Sequence, residues 1–202
     1  MAAPQTVALG FSVHTGWAAL VAVSIPVAGE IGLLDRRRIV MIPDGDREEP
    51  RFVYHAAREL SLPEAELRVR SSSERAQRNA GEGIDAAVKD LGTTGSRIVA
   101  SGVVGGGRTP SGSLEAILSS HSLVHAAEGA LFREAVRAAS ESRDLRITEV
   151  PAKQLAALAA RRLGLSPAKL ETLLAQVGRQ AGPPWAKDQR DACLAAVIAL
   201  PR

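Results

Sequence analysis

Two histidines and a glutamate lie close together in the stretch SSHSLVHAAEGALFREA, residues 119–135. His121 and His125 are four residues apart, and Glu128 follows three residues later, in a chain that has only four histidines. On a helix with a 3.6-residue period, these three side chains lie along one narrow stripe. Two imidazoles with this spacing can bind one metal ion, and a carboxylate one turn further on can be a third ligand or a general base. The stretch therefore predicts a candidate metal-binding or catalytic site.

A structural interpretation of the same stretch is also open. The neighbouring stripe of the helix is apolar and should face a sheet; it consists of Val124, Ala127, Leu131 and Ala135. The two histidines and the glutamate then lie at the border of the core. Hydrogen bonds of the imidazoles to nearby groups, with Glu128 capping a helix or pairing with a nearby arginine, would account for them without any function.

Two aspartates open the last predicted helix, in the stretch PPWAKDQRDACLAAVIAL. Asp188 and Asp191 are candidate catalytic residues, and Asp191 is predicted to join His121 and His125 around a metal ion. The alternative is that Asp188 is the N-cap of the helix and Asp191 lies in its electropositive first turn, where capping and the helix dipole explain both.

A glycine-rich loop, VVGGGRTPSGSLEAI, joins a strand to a helix. Backbone amides in such a loop can bind a phosphate group, and a helix N-terminus adds a favourable dipole. The loop lacks the glycine-lysine-serine/threonine ending of a P-loop, and a plain surface loop is the alternative. The candidate phosphate ligands are Gly106, Gly107, Arg108, Thr109 and Ser111.

A basic run, Arg36 to Arg38, lies on the third predicted strand. It could contact phosphates or protect an edge strand.

Apolar and polar patterning predicts the elements that position these residues. Strands are expected at 6–13, 17–25, 30–42, 96–104 and 144–151, and helices at 51–60, 61–92 with an interruption at Gly81 and Gly83, 113–142, 152–164, 166–178 and 188–200. The first three strands, joined by short turns, predict an antiparallel meander, with an irregularity in the third strand near Asp35. The alternating helices and strands that follow predict an α/β fold with a mixed sheet, in a single domain covering residues 1–202.

The composition excludes several classes of protein. With 46% hydrophobic and 23% charged residues, the chain is neither disordered nor unusually polar. One cysteine, Cys193, allows no internal disulfide and no cysteine-rich zinc site.

There is no signal-peptide pattern and no apolar run of about 18 residues, so we expect a cytoplasmic protein without a membrane span. The net charge of +3 permits nucleic acid as a partner. The last helix is nearly all apolar and must be buried, either in the core or in an interface, which leaves a homodimer open.

The element order and two stretches of sequence resemble the RuvC branch of the ribonuclease-H-like superfamily. The stretches are the first hairpin, LGFSVHTGWAALV, and the ending PPWAKDQRDACLAAVIAL. The resemblance implies a ribonuclease-H-like fold and carboxylates that hold divalent metals for phosphodiester cleavage. One carboxylate should lie at the centre of the first strand, where this chain has Ser12. A second should follow strand 96–104, where SGVVGGGR has no acid, and an acidic pair should open the last helix, where Asp188 and Asp191 match.

Two functions from different classes follow. The loss of carboxylates at two of three positions favours a nucleic-acid-associated protein with weak or no nuclease activity. The alternative is a metal-dependent phosphodiesterase or nuclease with a relocated site on His121, His125, Glu128 and Asp191, using Mg²⁺ or Mn²⁺ in preference to Zn²⁺.

Overall fold

The mixed α/β sheet predicted from the sequence is confirmed in a computed structural model that describes residues 4–26, 30–46, 49–107 and 109–201. The strands are β1 (Gln5–His14), β2 (Trp17–Ser24), β3 (Gly32–Val40), β4 (Ser96–Gly105) and β5 (Arg146–Pro151). They form one sheet in the order β3-β2-β1-β4-β5. β1 to β3 are the predicted antiparallel meander, whereas β4 and β5 run parallel to β1.

Local sequence explains the shape of the meander. His14 pairs with Trp17 across a two-residue turn in which Gly16 has a φ of +84°, a conformation that favours glycine. The register of β2 with β3 shifts between Ala22 and Val23, opposite Asp35. The irregularity predicted near Asp35 is therefore a bulge within one continuous strand.

The helices pack on both faces of this sheet. They are α1 (Val53–Ala57), α2 (Leu62–Gly92), α3 (Leu114–Leu118), α4 (His121–Glu141), α5 (Leu155–Leu163), α6 (Pro167–Ala181) and α7 (Lys187–Ala199). In the described part of the chain, no helix is both long and apolar enough to cross a membrane.

The interruption expected at Gly81 and Gly83 is wrong, because α2 runs through both as one helix of 31 residues. A Cβ atom on Gly81 would lie 2.8 Å from the guanidinium of Arg143, and one on Gly83 would lie 2.8 Å from the Ile39 side chain. The glycines therefore serve close packing, which outweighs their low helix propensity.

The single helix expected at 113–142 is two helices, α3 and α4. The chain breaks at Ser119 and Ser120, where the Ser119 hydroxyl donates to the carbonyl of Ala116 and Ser120 has extended backbone angles. Serine side chains that bond to nearby backbone groups compete with helix continuation. As a result, His121 is the first residue of α4.

Two separate apolar cores lie on the two faces of the sheet. Leu9 and Phe11 of β1 belong to one core with α2 and α4, whereas Ala8 of β1 belongs to the other core with α5, α6 and α7. Successive strand residues point to opposite faces, so β1 separates the two cores. The predicted burial of the last helix is confirmed, since its alanine-rich residues from Ala192 to Val197 are at most 5% exposed.

Candidate functional site

Three histidines converge on the face of the sheet that α4 covers. They are His121 and His125 of α4 and His55 of α1, and one ring nitrogen from each lies within 4.8 Å of the other two. The Nε2 atoms of His121 and His125 are 3.0 Å apart. The His55 ring is half-buried, whereas His121 and His125 are exposed at the surface. We call these three residues the histidine cluster.

Sequence reasoning missed His55. The residue lies in RFVYHAAREL, which was expected only to form a short helix. Its one available signal was the scarcity of histidine, since all but one of the four histidines belong to the cluster. Nothing in the local pattern links α1 to α4.

Glu128 of α4 fixes the position of α1. The N-cap residue of α1 is Phe52, whose side chain cannot accept a hydrogen bond, so the first amides of this helix need another partner. Oε1 of Glu128 accepts hydrogen bonds from the backbone amides of Tyr54, at 2.8 Å, and His55, at 3.1 Å. A carboxylate of one helix thus caps another.

The same carboxylate oxygen orients the His55 ring. Nδ1 of His55 lies 3.2 Å from Oε1 of Glu128 and donates to it. This hydrogen bond selects the tautomer that leaves the lone pair on Nε2. Glu128 therefore contacts His55. Its carboxylate oxygens are not among the three ligand atoms, one ring nitrogen from each histidine, that lie within 4.8 Å of one another.

Burial dominates the electrostatics of Glu128. The residue is only 2% exposed, and Oε2 has no hydrogen-bond partner among the described residues. Burial raises the pKa of the Glu128 carboxyl, and the hydrogen bonds from His55 and Tyr54 offset this rise only in part. The side chain predicted to lie at the border of the core is thus inside it.

The two aspartates of α7 lie on the other face of the sheet. α7 packs in the core that contains Ala8, and α4 packs in the core that contains Leu9. The structure therefore does not bring Asp191 to His121 and His125, because the sheet lies between them. Among the described residues, the ligand atoms that converge with those of His121 and His125 come from His55 and not from Asp191.

Each aspartate of α7 has a cationic or histidine partner instead. Oδ1 of Asp188 accepts from Nε2 of His14 at 2.8 Å, and Asp191 forms an ion pair with Lys187 one turn away. Asp188 is not the N-cap residue, because the helix begins at Lys187 and the Gln189 side chain accepts from the backbone amide of Ala186 at 2.9 Å.

Ser12 occupies the position of β1 where the resemblance implies a carboxylate. It is 6% exposed. It lies four residues after Ala8, and because alternate residues of a strand point to the same face, its side chain points to the α7 face. His14, two residues later, also points to this face and reaches Asp188. The C-terminal end of β1 thus presents a hydroxyl and an imidazole next to the acidic pair.

A stack of three flat side chains extends from His14 across the meander. The rings of His14 and Trp17 are parallel within 12° at 4.4 Å, and the Arg38 guanidinium lies 3.9 Å from the Trp17 ring centroid. Because His14 and Arg38 come from the strands on either side of β2, they cover opposite faces of the indole. We call these three residues the Trp17 stack.

The basic run on β3 divides between the two faces, as alternation predicts. Arg36 donates to the carbonyl oxygens of Gly182, at 2.7 Å, Pro183, at 3.2 Å, and Pro184, which fixes the loop before α7. Arg37 pairs with Asp35 and with Asp90 of α2 on the other side. Among the three arginines, only Arg38 is directed towards solvent.

The glycine-rich loop lines a groove of about 730 Å³ between α2 and α4. Gly106, Gly107 and Thr109 are in its wall, Ser111 is exposed, and Arg108 lies outside the described residues. The charged residues of the groove are Arg70, Arg133, Glu66, Glu74, Glu134 and Glu149. Four carboxylates and two guanidinium groups do not favour an anion, and the loop leads into a helix of only five residues. Phosphate binding at this loop stays a prediction.

The arrangement of the sheet and helices is shared with solved structures. The RuvC structure of Thermus thermophilus matches with a TM-score of 0.54 and 14% identity, over 97% of this chain and 99% of that one. The chain has a RuvC-like fold. The T. thermophilus RuvC in complex with its Holliday junction substrate matches with a TM-score of 0.53 and 14% identity, over 98% and 99% of the two chains. No family model and no curated protein matches the sequence.

Proposed function

We propose that this chain is a nucleic-acid-binding protein in which a RuvC-like fold has lost metal-dependent cleavage. The observation that carries the proposal is Ser12, buried near the C-terminal end of the central strand β1, at the position where the resemblance to RuvC-like nucleases implies a metal-binding carboxylate. Metal ions in such sites carry the attacking water and offset charge on the leaving oxygen, and a neutral hydroxyl binds a divalent cation poorly.

The environment of the acidic pair supports the same conclusion. Asp188 is hydrogen-bonded to His14 and Asp191 is paired with Lys187, so both carboxylates have partners without a metal ion. The sequence between β4 and α3 contains no acid that could supply a further ligand. Two carboxylates with other partners leave a two-metal mechanism without its ligands.

The Trp17 stack is the proposed contact surface. Both faces of the indole are covered, so the ring cannot stack on a base; it holds the Arg38 guanidinium in place instead. Arg38, which is exposed at the end of the stack, can then donate to a phosphate. Branched DNA is the proposed ligand class, because the RuvC of similar fold is seen in complex with a Holliday junction.

The phosphodiesterase alternative, with a site on His121, His125, Glu128 and Asp191, is disfavoured. Asp191 lies across the sheet from the histidines, and Glu128 is buried beneath His55. These four residues therefore cannot act on one substrate atom.

Fluorescence anisotropy with a labelled four-way junction, a duplex and a single strand tests the proposal. We expect the junction to bind most tightly, with an affinity that falls steeply between about 50 and 200 mM salt. Arg38→Ala should weaken binding and reduce the salt slope by about one. Arg137→Ala, which removes a cation paired with Glu134 and Glu141 on α4, is the matched control and should bind as wild type.

The same samples decide whether cleavage is lost. With Mg²⁺ or Mn²⁺ present, we expect no product from any of the three DNAs. Cleavage that Asp188→Asn abolishes, or the absence of binding to all three DNAs, would overturn the proposal.

A further inference from the structure

We propose that the histidine cluster of His55, His121 and His125 binds a transition-metal ion, with Zn²⁺ as the best match, and leaves one coordination position open to solvent. This site lies across the sheet from the Trp17 stack, so it does not depend on nucleic-acid binding.

The spacing of the three rings suits one metal ion. Zinc binds imidazole nitrogen at about 2.0–2.1 Å, so the nitrogens of a tetrahedral site are separated by about 3.3 Å. The Nε2 atoms of His121 and His125 are 3.0 Å apart, and a His55 nitrogen lies within 4.8 Å of both. Small rotations of exposed side chains would bring all three to the ligand distance.

Glu128 provides the support that such sites need. Histidines that bind metals usually donate their second ring N–H to a carboxylate, which fixes the tautomer and strengthens the donor nitrogen. His55 Nδ1 donates in this way to Glu128 Oε1 at 3.2 Å. Glu128 also holds the backbone of His55, so the ring is positioned before any metal arrives. Its buried negative charge would offset part of the charge of a divalent cation.

The chemistry of the ligands selects the metal. Three neutral imidazoles without a carboxylate suit Zn²⁺, Cu²⁺ and Ni²⁺, whereas Mg²⁺ and Mn²⁺ prefer oxygen ligands. The site expected from the sequence, with Mg²⁺ or Mn²⁺ preferred, included the carboxylate of Asp191, which is not in this cluster. Because His121 and His125 are exposed, the fourth position faces water, and three protein ligands with an open position are typical of a reactive zinc centre.

A metal ion in this place would also connect two helices. His55 is on α1, a helix of five residues, and the other two ligands are in the first turns of α4. Binding to the folded chain alone stabilises it by mass action. The thermal midpoint of the chain should therefore rise with added Zn²⁺.

The first test is metal titration of the full chain after treatment with a chelator. Isothermal titration calorimetry should give one Zn²⁺ per chain, and Mg²⁺ at the same concentration should give no heat and no thermal shift. His121→Ala and His125→Ala should each weaken Zn²⁺ binding at least a hundredfold. His14→Ala removes the histidine that lies outside the cluster and should bind Zn²⁺ as wild type.

Glu128→Gln tests the hydrogen bond between Glu128 and His55 separately from the three metal ligands. It should weaken Zn²⁺ binding by about 10- to 100-fold while one ion per chain still binds. If Glu128→Gln and wild type bind Zn²⁺ with equal affinity, the three histidines bind the metal without help from Glu128, and the positioning role of Glu128 is wrong.

A direct readout covers the case in which alanine variants fail to fold. Crystals of the wild-type chain soaked in zinc should give an anomalous peak between the three rings at the zinc absorption edge. A peak at another place alone, or zinc affinity that is the same in wild type and His121→Ala, would overturn the proposal. Loss of DNA binding would not affect it.

Discussion

A Cβ atom built on Gly10 would lie only 1.8 Å from the carbonyl oxygen of Ala192, so β1 and α7 meet backbone to backbone. Gly102 of β4 makes the same close approach, with 2.1 Å to the carbonyl oxygen of Ala195. These two glycines allow the last helix to lie directly on the centre of the sheet.

We predict that Gly10→Ala lowers the free energy of unfolding by about 3 kcal/mol or more, because backbone must shift to admit the methyl group. Urea denaturation followed by circular dichroism measures the change. Gly92→Ala is the control, since nothing lies within 4 Å of its Cβ position, and it should leave stability unchanged or raise it by up to about 1 kcal/mol. Equal destabilisation by both would contradict this account of the α7 contact.

Glu128→Ala should release α1 from α4. The change removes the acceptor of two backbone amides and of the His55 ring, so we expect a loss of about 2–3 kcal/mol of stability. Hydrogen exchange should show faster exchange of the Tyr54 and His55 amides. Glu134→Ala, on an exposed part of the same helix, should leave both amides as they are in wild type.

Cys193 should be unreactive in the folded chain. Burial raises the pKa of its thiol from an ordinary value of 9.0 to about 12. Between these values the folded chain holds a proton that the unfolded chain has lost, so this group lowers the free energy of unfolding as the pH rises. A disulfide reagent at pH 8 should modify no thiol before denaturation and one after it. Cys193→Ala should flatten the alkaline loss of stability, and an unchanged slope would contradict the prediction.

Asp85 and Arg143 connect α2 to the end of α4. The Arg143 guanidinium lowers the pKa of the Asp85 carboxyl, so their contribution to stability is present above an ordinary pKa of 3.8 and is lost as the pH falls through the lowered value. Because Asp85 is 62% exposed, the pair should contribute only about 0.5 kcal/mol. Asp85→Asn should therefore differ slightly from wild type at pH 6 and not at pH 2.

Local patterns predicted the elements better than their contacts. Alternation and turn residues predicted the meander, and the apolar run after Asp191 predicted a buried last helix, because both features follow from neighbours in the chain. The continuity of α2 through Gly81 was missed, since its cause is a contact with Arg143, which lies just after α4.

The candidate site was predicted in part for the same reason. The spacing of His121 and His125 is a property of one helix, and the structure brings these two rings together. His55 and Asp191 depend on which face of the sheet each helix covers. That choice is made by long-range packing, which the local pattern does not contain.

The five-stranded sheet also bears on how this protein can change over generations. It keeps the histidine cluster and the His14–Asp188 pair on separate faces, and substitutions that share no neighbours usually have additive effects on stability. Acidic residues on one side can therefore be replaced without disturbing the imidazoles on the other. Selection can therefore act on each face of the sheet separately, so that one face can lose a function while the other gains one.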